Sequence, residues 1–235
     1  MVASKKKHIS KYLSENIVKS FTCPLSNMIQ FLTITTAVFF NQFLGFGSPL
    51  MLALLIIVNS FICSYLFEII AHSASGFDEL PLFIPESKDL LGLVMKLGKN
   101  FFRVIAIIFT YSILPLTIFI KIGITNPILL ISLCFSFLFL MPMAFISTVV
   151  NDGLSISPIF LIKPLKTLFI PYLVVSVMFY LSFIISGLII SKFQSGLVMF
   201  LIVSSLCNAY FYIVSMRLLG SFYWVYEKNF KCFNK

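Results

Sequence analysis

The sequence predicts an all-α integral membrane protein of about six transmembrane helices in three hairpins, with short amphipathic interfacial helices on the cytoplasmic side. Three observations predict it. Of the 235 residues, 60% are apolar and 11% charged, with 28 Phe; soluble domains average about 45–50% apolar and about 25% charged. Six stretches are apolar over the roughly 20 residues a spanning helix requires. The cations collect beside alternate ends of those stretches.

The six expected spans are 27–46, 49–70, 102–121, 127–150, 168–190 and 195–219. The first is the least hydrophobic, with Asn27, Gln30, Thr33, Thr35, Thr36, Asn41 and Gln42, and is expected to pack inside a bundle. Pro49 suits the first turn of the second span. Pro115, Pro142 and Pro171 fall inside spans three, four and five. Each removes a backbone donor and is expected to bend its helix. Asn59 and Asn208 are the isolated polar groups of the second and sixth spans, and are expected to link helices.

The connections alternate between short and long. The short ones carry only Lys121 and Lys192, whereas fifteen of the seventeen Lys and Arg and all eight acids fall on the other side. Cations accumulate on the cytoplasmic side of membrane proteins, so both termini are expected there. A net charge of +9 also invites a nucleic-acid reading, but the cations sit beside apolar runs rather than on one basic domain, and no nucleic-acid partner is expected.

Each long cytoplasmic segment holds an amphipathic stretch ahead of a hairpin. In the first, Ile9, Leu13, Ile17 and Phe21 recur at helical spacing, beside a charged row of Lys11, Glu15 and Lys19. In the second, Leu90, Leu91, Val94, Leu97 and Phe101 form one face, with Asp89, Lys96 and Lys99 elsewhere. In the third, Ile156, Ile159, Phe160 and Leu161 precede Lys163 and Lys166, between Pro158 and Pro164. Such helices lie in the headgroup region. The expected organisation is a segment at 1–26, a membrane domain at 27–220 and a juxtamembrane tail at 221–235.

Lys5, Lys6 and Lys7 resemble the start of a leader, but no small-residue cleavage site ends the first apolar run, so no cleaved leader is expected. The five cysteines form no CxxC pair, and Cys63, Cys134 and Cys207 read as small hydrophobes. Cys232 is juxtamembrane, where palmitoylation is a weak signal.

Functional sites in membranes are usually marked by ionisable groups at depth, and the sequence offers none. Glu68 and His72 lie one helical turn apart at the end of the second span and are expected to pair at the interface; a third metal ligand is missing locally. Asp78, Glu79, Glu86 and Asp89 lie in a connection with Gly76, Pro81 and Pro85, which reads as a fixed turn. Asn151, Asp152 and Gly153 give a second turn signal. No catalytic motif is present, and no cofactor, metal or enzymatic activity is expected.

Three stretches carry a resemblance. Gly76-Phe77-Asp78-Glu79-Leu80-Pro81 follows a span, Met141-Pro142-Met143-Ala144 lies within one, and Arg217-Leu218-Leu219-Gly220 leads into Phe222-Tyr223-Trp224. Their order resembles a bacterial family of polytopic membrane proteins of unknown function, similar in layout to the Yip1-like membrane proteins. Leu82-Phe83-Ile84-Pro85 departs from that pattern. The resemblance implies an architecture and little chemistry.

The resulting expectation is a non-enzymatic scaffold or accessory subunit of an inner-membrane assembly. Its contacts to lipid, or to a protein partner at the cytoplasmic face, would be Glu68, His72, Asp78, Glu79, Pro81, Asp152, Arg217 and Trp224. The alternative is a transporter or permease-like component for an apolar or lipid substrate, with the kinked third to fifth spans lining its path. A third, weaker reading is an enzyme at the cytoplasmic rim, using Glu68, His72, Asp78 and Asp152.

Overall fold

The computed structural model describes residues 2–44, 49–82, 90–123, 126–151, 158–193, 196–228 and 230. The ordered elements among them are helical: α1 (Val2–Ser26), α2 (Met28–Phe43), α3 (Pro49–Ala74), α4 (Leu90–Ile108), a π-helical turn (Phe109–Ile113), α5 (Leu114–Lys121), α6 (Pro127–Val150), α7 (Pro158–Ser191) and α8 (Leu197–Tyr226).

Five helical spans are long and apolar enough to cross a bilayer: α3, the continuous α4–α5 rod from Leu91 to Lys121, α6, α7 from Thr167 and α8. Their outer surfaces carry exposed Leu50, Ile128, Ile131, Val177 and Ile202. Apolar groups on the outside of an all-helical bundle require hydrocarbon as solvent, and the chain is an integral membrane protein.

The first expected span is shorter than the sequence suggests. At 16 residues, α2 extends about 24 Å, less than the roughly 30 Å hydrocarbon core. It makes a sixth span only if joined to α1 across a 77° bend. Its hydroxyls turn back on their own helix: Thr33, Thr35 and Thr36 donate to the carbonyls of Ile29, Phe31 and Leu32, each at 2.8 Å. Self-satisfied hydroxyls tolerate an apolar surrounding; α2 packs on the bundle through Phe31, Ile34 and Val38, while Thr33 and Thr36 lie on its exposed side.

The second amphipathic stretch is the N-terminal part of the α4–α5 rod, not a separate interfacial helix. The 31-residue rod is about 46 Å long and overshoots the hydrocarbon at its charged end. Its expected apolar face is divided. Leu91 and Val94 are exposed, while Leu97, Asn100, Arg103, Ile107 and Tyr111 are buried along one stripe. In lipid the apolar face gains nothing by turning inward, whereas polar groups gain partners there. The third amphipathic stretch is a helix at the start of α7. Leu168 interrupts it at φ −117° and ψ 20°, because the Pro171 ring conflicts with the carbonyl four residues earlier.

The other prolines are absorbed differently. Upstream of Pro115 the helix widens into the π turn, and the Leu114 amide donates five residues back, to Phe109. At Pro142 the neighbouring helix intervenes. The Tyr180 hydroxyl donates to the Leu138 carbonyl, the acceptor that Pro142 leaves without an amide, at 2.5 Å. The Tyr172 hydroxyl donates to the Phe139 carbonyl at 2.5 Å and accepts the Met143 amide at 3.3 Å. Two tyrosines spaced two turns apart on α7 thus repair the ladder of α6.

α8 is the hub, packing against α1, α2, α3 and α7. It continues through the expected tail to Tyr226, with Ser221, Phe222 and Tyr223 buried, and Phe230 packs on Phe222 and Tyr223. The α3–α8 crossing depends on Gly220: a Cβ there would lie 2.5 Å from the Ile70 carbonyl oxygen and 2.6 Å from Ser73 Cβ.

Candidate functional site

Two constellations stand out: a polar junction at the charged ends of the helices, and a cavity inside the bundle.

The junction is built by the segment after α3. Gly76 closes α3 at φ +84°, and its amide and that of Phe77 return to the Ser73 and His72 carbonyls, a glycine-terminated helix end. The His72 ring stacks on Phe77 with centroids 4.4 Å apart. Asp78 then meets α8 and α1. Arg217 donates to the Asp78 carbonyl at 2.5 Å and to its carboxylate at 3.2 Å, and contacts Cys23 Sγ at 2.8 Å. Lys19 holds the other carboxylate oxygen at 2.8 Å. Leu80 donates its amide to Asn27 Oδ1, and Pro81 accepts the Tyr65 hydroxyl. The Trp224 indole covers Gly76, where an added Cβ would lie 2.6 Å from Nε1.

Two of the three stretches that carried the sequence resemblance therefore meet in space. Their role differs from that expected of contact residues. Arg217 is 3% exposed and ties three segments together, so it offers no outward surface. Glu68 pairs with Lys96 at 2.6 Å, and His72 stacks on Phe77 where a Glu68–His72 ion pair was expected. Glu79 is exposed and Trp224 lies at the surface over Gly76. Asp152 lies outside the described residues, as do Glu86 and Asp89. No group of three or more His, Cys, Asp or Glu among the described residues is placed to hold a metal.

The sequence reading missed one buried cation. Arg103 is 5% exposed inside α4, donating to Asn100, which donates to Ser64 on α3. With Glu68, Lys96 and Lys99 it lines a groove of about 640 Å³ between α3, α4 and α6. Its signal was its position, within helical spacing of Leu97 and Ile107, obscured by counting it with the connection.

The cavity measures about 710 Å³ and takes walls from α2, α3, α4, the π turn, α6, α7 and α8. Phe67, Phe145, Phe179, Phe183 and Met216 make its apolar side, and among the described residues no Asp, Glu, Lys, Arg or His lines it. Asn41, Gln42, Asn59 and Asn208 make a polar side. These amides join helices: Asn59 donates to Asn41 Oδ1 at 2.6 Å, Ser204 and Ser205 donate to Gln42 Oε1, and Ser186 donates to Asn208 Oδ1. The expected linking role of Asn59 and Asn208 is thus present. Phe67 lines both the cavity and the basic groove.

No family model matches the chain, no curated protein matches it in sequence, and no solved structure matches its fold.

Proposed function

We propose that the protein is a transporter- or permease-like component that takes an apolar or lipid-class substrate from the bilayer into its central cavity. The observation that carries this reading is the cavity itself. Packed protein interiors hold few voids larger than a water molecule, whereas about 710 Å³ lies in the range of small-molecule sites. Walls drawn from nearly every span, with no charged group among the described residues, suit a substrate partitioned into hydrocarbon. The proline-bearing α6, the kinked α7 and the π-turn rod all border it.

A scaffold has less support, because Arg217 and Asp78 are occupied within the molecule. Of the residues named for chemistry at the rim, Glu68 and Asp78 each hold a cation. We place both termini and the basic groove on the cytoplasmic face, on the support of the cation distribution, and assign the membrane to a bacterial inner membrane on the resemblance alone.

The test uses full-length protein in phosphatidylcholine vesicles carrying a fluorophore-labelled neutral lipid, a monoglycosyl diacylglycerol, with an impermeant quencher reporting movement between leaflets. Wild-type protein accelerates movement several-fold over protein-free vesicles, and Cys63→Trp, which fills the cavity, returns it towards background. Wild-type vesicles indistinguishable from protein-free ones, or a filled variant as fast as wild type, sink the proposal.

A further inference from the structure

Resting on the reading of the cavity as a substrate site, we infer that its amide side selects an uncharged amphiphile whose polar part presents oxygen acceptors, such as the ester carbonyls of a neutral glycerolipid. The inference comes from which amide atoms are already used. Gln42 spends its oxygen on two serine hydroxyls, Asn208 on Ser186 and Asn41 on Asn59. In each case the oxygen is committed inside the bundle, and among the described residues the side-chain NH2 has no hydrogen-bond partner. Asn41, Gln42 and Asn208, on α2 and α8, therefore bring three NH2 donors to the lining of one cavity, beside the single oxygen of Asn59, whose own NH2 is spent on Asn41 and Leu55.

Depth makes this arrangement consequential. Asn59 and Asn208 lie about 15–17 Å along α3 and α8 from their N-termini, half the thickness of a roughly 30 Å hydrocarbon core. At that depth an unmet donor is expensive, because lipid offers no acceptor. A bound carbonyl, ether or hydroxyl oxygen meets it. A phosphate or carboxylate would also accept, but no cation lines the cavity to balance its charge, and an unpaired charge in a low dielectric is strongly disfavoured. An alkane leaves the donors unmet. The substrate that satisfies both sides of the cavity is neutral, acceptor-bearing and long-chained.

The experiment is native mass spectrometry of full-length protein released from nanodiscs doped equally with 1,2-dioctanoylglycerol and dioctanoyl phosphatidate. Wild-type protein is expected to retain the neutral lipid in preference to the anionic one. Gln42→Leu/Asn208→Leu keeps side-chain volume and removes the donors; it is expected to lower retention of the neutral lipid roughly tenfold, the loss of about 1.4 kcal/mol. Asn41→Leu, which leaves the serine bonds intact, gives a smaller loss in the same direction and guards against a misfolded double variant.

Equal or greater retention of phosphatidate by wild type overturns the inference, as does an unchanged preference in folded variants. Either result leaves the cavity reading standing, since lipid is still held. Absence of both adducts from wild type overturns the inference and the cavity reading together.

Discussion

Arg217 shows how one side chain fixes three segments. Its guanidinium reaches a backbone carbonyl, a carboxylate and a thiol on groups far apart in sequence. A lysine keeps the charge but loses the planar fork. Arg217→Lys is expected to destabilise the protein by about 1.5–3 kcal/mol, the range for hydrogen bonds to charged groups, read as a lower thermal midpoint in detergent; an unchanged midpoint contradicts the clamp. Gly220→Ala forces a methyl group against the backbone of α3 and is expected to lose about 1–3 kcal/mol, whereas Gly187→Ala, where the added Cβ meets nothing within 4 Å, is expected to lose nothing. Little of this was legible in the sequence. Arg217 and Asp78 were visible as polar residues beside spans, but which cation takes which carboxylate depends on how α8 crosses α3. By contrast, Asn59 and Asn208 were legible as linkers, because a lone amide in an apolar run has few other ways to be satisfied.

Among the elements, α6 is the most dependent on a neighbour. Pro142 leaves the Leu138 carbonyl without its amide, and Tyr180 supplies the missing donor. The two residues should therefore be energetically coupled. Tyr180→Phe alone is expected to lose about 0.6–1.7 kcal/mol, the range measured for hydrogen bonds within membranes. In a Pro142→Ala background the restored amide takes the Leu138 carbonyl, and the same change is expected to be nearly neutral. A double-mutant cycle on thermal unfolding measures the difference; equal losses in both backgrounds refute the repair. The sequence placed Pro142 inside a span correctly, since hydropathy runs straight through it. It did not reveal the tyrosines, which lie on another helix. The divided face of α4 has a similar origin. Periodicity finds an apolar stripe, but in a bilayer that stripe faces lipid, so Leu91 turns outward while Asn100 and Arg103 turn in.

For the whole molecule, composition and charge alternation carried most of the architecture, because hydrocarbon admits so few backbone arrangements. Five or six helices follow from that constraint alone; the uncertainty over the sixth is the short α2 and its bend to α1. Orientation depends on Lys121 and Lys192, which lie at the C-terminal ends of α5 and α7, while Lys228 follows the end of α8. All three are exposed. In an alternating bundle, a helix that ends where α5 and α7 end cannot finish on the same face as α8. Cysteines substituted singly for Lys121 and Lys192 should therefore react with an impermeant maleimide from one side of sealed vesicles, and a cysteine at Lys228 from the other, after subtraction of the parent protein's labelling. The same face for all three would break the pairing of α7 with α8 as a hairpin. It would also invert part of the bundle, moving the amide side of the cavity relative to the basic groove and removing the geometry on which substrate entry from the bilayer depends.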